Sequence, residues 1–509
     1  MNRRQCISRR APFRWISAAA LLLSTGCTTP CEGADCGDLY PAAQLGRFGA
    51  EALTPTEVDP RTPDAAVSGT AADGFDWAVL GVDGAALVGV PGAGELRRYT
   101  FDGAPPDVLA TGDAPGERLG AAVAVGPGPN GGTRLLLAAP AASSGPLRAE
   151  AGVIHLYDTD DASLAGLAAA ADRTLLGANA GDRAGETLLA CGDLDGDALP
   201  DWGVGSRWAP ADNGAPLAGV LYLGLSATLS DAAALSLGDL PTLTGADAGA
   251  GFGAAALCGA SLDADAVADL VVGAPFANVR DVRALRDGAG NVEIRRGAAT
   301  LATAAPAITL AHEEAGAWFG SALALGDLDG DGLADLVVGA PGEDRPGEGT
   351  SGLTREGTDA SGTGALPEDV AGAVYVFSGA DIRAELENPG VTGTPAPVRV
   401  LHGEFSRGRF GDALVVADLD GDGHNDLVIG APGTNRALAD ASTRSGAATV
   451  WWGPSTAWPA VQFASDAPST IVADRQYLET GRLLAALPPG ADGPAALLVL
   501  TRQPASGDE

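Results

Sequence analysis

Residues 319–344 read FGSALALGDLDGDGLADLVVGAPGED. The middle places Asp327, Asp329, Asp331 and Asp335 at positions 1, 3, 5 and 9 of a nine-residue loop, with Gly330 and Gly332 supplying sharp backbone turns. Such a ring of hard oxygen donors suits Ca2+, which takes 6–8 oxygens at roughly 2.3–2.6 Å, better than Mg2+ with its tighter octahedron. Two carboxylates about 4 Å apart repel by roughly 4 kcal/mol at an effective dielectric near 20, so four of them together call for positive charge. Apolar runs on either side, Ser321–Leu325 and Leu336–Val338, predict two strands joined by the loop.

The pattern recurs. Residues 410–432 carry Asp418, Asp420, Asp422 and Asp426 in the same slots, and residues 185–207 carry Asp193, Asp195, Asp197 and Asp201. From Phe252 a fourth copy has Ser261 in the first slot, then Asp263, Asp265 and Asp269. The seventh position of each loop, Leu199, Val267, Leu333 or His424, is expected to add a backbone carbonyl. Weaker copies begin near residues 75, 119 and 480, which makes seven units and implies a closed ring. An EF-hand is excluded, because position 12 has no Glu and no helical pattern flanks the loops.

These motifs resemble the FG-GAP repeat, the blade unit of the seven-bladed β-propeller that heads integrin α subunits and occurs in many bacterial surface proteins. The resemblance spans about residues 40–503; FG, DxDxDGxxD and GAP stand in register in the units from 319 and 410. It implies an all-β fold, a seven-bladed β-propeller of four-stranded antiparallel blades. It also implies Ca2+ in the loop between the first two strands of a blade, hence three full sites and a fourth with Ser261. No RGD tripeptide is present, so the likeness to integrins bears on architecture and not on their ligands.

A chain of 509 residues can be one propeller, since radial repetition enlarges a domain while keeping its edges short. The net charge of −34 argues against nucleic acid as a partner. Lysine is absent altogether, which excludes Schiff-base and P-loop lysine chemistry. Residues 1–26 read as a signal peptide, with Arg3, Arg4, Arg9 and Arg10 before the apolar run Trp15–Leu23. The ending Ser24-Thr25-Gly26-Cys27 resembles a lipobox, which makes Cys27 the lipid-bearing residue of an envelope lipoprotein; an ordinary cleaved signal is the alternative. Residues 27–66 are expected to be a tether with a closing strand, and 67–503 the propeller. Cys31 and Cys36 are placed for a local disulfide. Cys191 and Cys258, on the first strands of neighbouring units, are expected to be two buried thiols.

Within each unit the order is strand a, acidic loop, strand b ending in GAP, a variable loop, strand c and strand d. In an up-and-down meander the a–b and c–d loops share one face, and the b–c and d–a loops the other. The longest insertions, 276–291, 342–371 and 433–445, fall on that second face, where recognition is expected. Candidate ligand contacts there are Trp208, Phe276, Arg280, Trp318, Arg345, Arg407 and Arg409, with packing between blades as the alternative for Trp318. His155, His312, His402 and His424 are scattered along the units, which points to structural roles. The match of residues 126–131 to GxGxxG opens no helix and is discounted. The sequence thus predicts an exported, lipid-anchored, Ca2+-stabilised propeller that binds a protein or glycan at the cell envelope. An enzyme such as a polysaccharide lyase or hydrolase on the same scaffold, or a purely structural envelope protein, are the alternatives.

Overall fold

The computed structural model describes most of residues 43–502. It leaves out 54–56, 59–63, 69–76, 83–84, 162–163, 165–166, 168–169, 227–232, 281–284, 345–369, 435–445, 473–478, 489–493 and single residues 49, 115, 212, 392 and 406. The signal segment, Cys27, Cys31, Cys36 and Arg345 lie outside the described residues.

Seven antiparallel sheets of four core strands each form the blades. Blade five is typical, with Ala322–Gly326, Asp335–Ala340, Ala373–Phe377 and Arg399–His402 paired in chain order. The innermost strand of every blade touches that of the next, and that of blade seven, Leu484–Leu487, touches that of blade one, Ala78–Val82, so the ring is closed. Closure crosses the termini. Blade seven takes its inner two strands from Leu484–Leu487 and Ala496–Arg502, and its outer two from Ala43–Phe48 and Ala65–Ser68. The stretch expected as a tether with a closing strand supplies Ala43–Phe48 to this ring, and the boundary expected at 66/67 falls inside the strand Ala65–Ser68.

The two glycines of the motif explain each other. Gly320 has φ near +90°, and the amide of its Phe-Gly pair donates to Gly339 of its own GAP. A Cβ on Gly273, the GAP glycine one blade back, would lie 2.1 Å from the Gly320 carbonyl oxygen. Blades can approach this closely only where both partners lack side chains. Phe252, Phe319 and Phe410, each beside such a glycine, are buried in the seams. Pro341 and Pro432 follow the ends of their strands, where no ladder donor is lost.

Each c–d connection packs onto the preceding blade, so the apolar clusters span pairs of blades. Leu237 seals blade two, Leu301 blade three, Ile382 and Leu386 of the helix Gly379–Glu387 blade four, and Trp458 blade five. In blades two, five and six a short parallel strand, Ala234–Ser236, Val461–Phe463 or Glu57–Val58, is added outside strand d. Covering an outer strand in this way removes a template for aggregation.

Cys191 and Cys258 form a disulfide between blades three and four, which overturns the expectation of two thiols. They end equivalent inner strands of adjacent blades, where the ring is narrowest, so the Cα atoms come within 5.4 Å. With the cysteines 67 positions apart in the chain, the bridge is expected to contribute about 4 kcal/mol. Denaturant titration of Cys191→Ser/Cys258→Ser against the oxidised chain measures that loss; equal midpoints would show that the bridge contributes nothing.

Candidate metal centres

The acidic loops are shaped by their own carboxylates. In blade five, Asp327 Oδ1 accepts from the Gly330 and Asp331 amides (2.7 and 3.1 Å) and its Oδ2 from Gly332 (2.8 Å). Asp329 accepts from the Asp331 amide and Asp331 from the Leu333 amide (3.1 and 2.8 Å), each an Asx turn. Blade three repeats the pattern through Asp193, Asp195 and Asp197, and blade six through Asp418, Asp420 and Asp422.

The ninth-position aspartate has a second job. Asp335, 2% exposed, accepts from the Leu328 amide (3.0 Å) and, across the sheet, from the Gly379 amide after strand c (2.8 Å). Asp201 does the same with Leu194 and Ser226, Asp269 with Leu262 and Gly297, and Asp426 with Leu419 and Gly453. These bonds tie the a–b loop to the c–d connection, so both emerge on one face. Burial, with a smaller push from neighbouring aspartates, raises the carboxyls of Asp201, Asp335 and Asp426 to about 6. Burial likewise raises Asp195 and Asp329.

Among the described residues, carboxylate oxygens converge within 4.8 Å in three sets: Asp193, Asp195 and Asp197; Asp327, Asp329 and Asp335; Asp418, Asp420 and Asp426. Hard oxygen donors on turns already closed by backbone hydrogen bonds fit a hard divalent cation. The carbonyls of Leu199, Leu333 and His424 belong to the same loops.

The fourth loop differs. The Ser261 hydroxyl faces the backbone oxygens of Asp263 and Asp265 (3.2 and 2.8 Å). The Arg296 guanidinium donates to Asp263 Oδ2 through Nε (2.7 Å) and lies within 2.6 Å of it through a terminal nitrogen; Asp265 Oδ2 is 3.9 Å away. Val267 packs toward the neighbouring loop at Gly196. Arg296 escaped the sequence reading, although it stands one residue before the amide that binds Asp269.

The described ligand candidates each have their own neighbours. Phe276 and Trp318 meet edge to face at 6.3 Å, and Trp318 also lies against Gly342, so it packs between blades. Trp208 donates to Glu186 and carries the Arg207 guanidinium 4.8 Å above its ring. Arg409 pairs with Asp412, while Arg280 and Arg407 are exposed.

Sequence reasoning also missed a buried network on this face. Tyr375 donates to Glu343 (2.6 Å), His312 Nε2 lies 2.9 Å from the Tyr375 hydroxyl, and the Glu314 amide donates to His312 Nδ1. Burial opposes the Glu343 anion, yet contacts from His312, His402 and Tyr375 outweigh it and hold the carboxyl down to about 2. No signal in the spacing linked these residues, which come from three separate strands and loops.

A closed ring of seven four-stranded blades with acidic loops on one face defines a β-propeller. Two of its blades match the FG-GAP repeat family, over residues 319–377 and 410–451. Integrin alpha-3 of Mus musculus is 36% identical over 120 residues, which cover 23% of this chain and 9% of the integrin. Integrin alpha-IIb of Homo sapiens is 35% identical over 124 residues, 24% of this chain and 10% of its own. Phosphatidylinositol-glycan-specific phospholipase D of Homo sapiens is 34% identical over 134 residues, 26% and 13% respectively. The match thus spans about a tenth of each relative's length. Among solved structures, a chain of the mitotic checkpoint complex overlaps 97% of this chain and 99% of its own at 12% identity, and its TM-score of 0.40 carries no weight.

Proposed function

We propose that this protein is an exported, lipid-anchored propeller, stabilised by Ca2+, that binds a protein or glycan at the cell envelope without catalysing a reaction. The reading rests on a division between two faces. Acidic clusters occupy the a–b loops, where they shape the scaffold, while the variable b–c loops of blades two, three and four present Leu147, Leu217 and Leu285 to solvent. Leu147 is 90% exposed. Apolar residues on long loops over a rigid frame favour partner binding. The disulfide supports export, since such bridges persist in oxidising compartments. No helix among the described residues is long and apolar enough to cross a membrane, and anchoring is assigned to Cys27.

Pull-down from envelope extracts with the wild-type chain and with Leu147→Glu/Leu217→Glu/Leu285→Glu tests the reading. A specific partner or glycan lost in the variant is expected; equal capture by both would remove this face from the proposal. The second reading is an enzyme, favoured by the similarity to a phospholipase D. Turnover of envelope glycans or glycolipids by the purified chain would establish it.

Calcium binding brings a pH signature. In chelator, the folded carboxyls of Asp201, Asp335 and Asp426 titrate near 6, above the ordinary 3.8, so the folded state holds protons that the unfolded chain releases. That stability is present below the unfolded value and is lost as pH rises through about 6. With calcium the order reverses, because protons compete with the ion. The gap between melting temperatures with and without calcium is therefore expected to shrink from pH 7.5 to pH 5, as calorimetry can show; a gap that widens on acidification would exclude these carboxylates as ligands.

A further inference from the structure

We infer that Arg296 is the resident cation of blade four, holding the Ser261 loop as calcium holds the loops of blades three, five and six. The proposal rests on the calcium reading of those three loops. Asp263 is fully buried on its side chain, and its charge is met by the guanidinium at 2.6 Å, which also reaches toward Asp265. The residue between strand c and the amide that binds the ninth aspartate is Leu225 in blade three, Ser378 in blade five and Trp452 in blade six. Only blade four of these four places a cation there, and only blade four lacks the first aspartate.

The charges agree. A four-aspartate loop with one divalent ion keeps two uncompensated negative charges, and three aspartates with Arg296 keep the same two. The Ser261 hydroxyl faces backbone oxygens, so the slot that would offer an anionic first ligand offers none. Guanidinium is permanently charged and presents several donors to carboxylate oxygens. The loop of blade four therefore keeps its shape whatever the calcium concentration. It adjoins the metal loop of blade three, where the Ala268 amide donates to the Asp193 carbonyl at 2.7 Å. Together with the disulfide, this makes one seam that does not depend wholly on the ion.

Hydrogen exchange on the full chain, with saturating calcium and with excess chelator, tests the proposal. Chelation is expected to speed exchange about tenfold across 193–201, 327–335 and 418–426, and to leave 261–269 within about twofold. Equal acceleration in 261–269 would overturn the clamp. Equilibrium dialysis is expected to find three calcium ions per chain, and a fourth that survives in wild type would also overturn it. Exchange indifferent to chelator in all four loops would reject the calcium reading alone; Arg296→Ala then decides. In that variant, exchange at 261–269 is expected to rise about tenfold with the other blades unchanged, and Arg296→Lys to restore part of it. Unchanged exchange at 261–269 in Arg296→Ala would refute the assignment with or without metal.

Discussion

Stripping calcium from the protein with excess chelator is expected to lower its melting temperature by about 8 °C. A ligand at a hundredfold its Kd that binds only the folded state adds about 2.7 kcal/mol per site, so three sites contribute roughly 8 kcal/mol. Spread over the propeller at about 2.1 cal/mol/K per residue, that stabilisation corresponds to about 8 °C. The direction follows from the geometry. Three carboxylates in each of three loops have oxygens within 4.8 Å of one another, and their repulsion returns when the ion leaves. Restoring calcium should restore the melt, whereas magnesium should restore less because it tolerates the loop geometry poorly. A melt indifferent to chelator in calorimetry would reject the metal assignment.

Asp335→Ala is expected to destabilise the protein by about 4 kcal/mol even in chelator. The substitution leaves two amides, Leu328 and Gly379, without their acceptor inside the blade, each at a cost of about 1–3 kcal/mol. Asp329→Ala removes a ligand whose contact with the backbone is an exposed Asx turn, so in chelator it should melt within about 1 °C of wild type. With calcium both variants should fall below wild type. The pair therefore separates the two roles of the loop, and coincident melts of Asp335→Ala and Asp329→Ala in chelator would show that the ninth aspartate serves the metal alone.

The architecture was largely legible in the chain because it is written in local, repeated signals. FG, DxDxDGxxD and GAP recur at blade length, and each part acts within a few residues: a turn glycine, an Asx turn, a proline at a strand end. Seven such units can bury their faces only against one another, which a closed ring allows. A closing strand was legible too, in the segment before residue 67.

Other features depended on neighbours far apart in the chain. Cys191 and Cys258, 67 residues apart, read as two apolar positions until adjacent inner strands brought their Cα atoms to 5.4 Å. Arg296 and Asp263 are separated by a blade's two middle strands, and nothing in either local sequence announces an ion pair. Glu343, Tyr375 and His312 meet only because blade five packs against the end of blade four. A repeated motif specifies short-range backbone geometry, and so it can be read from composition and spacing. Which charge neutralises which is settled by distances between separate strands, and those exist only once the ring has closed.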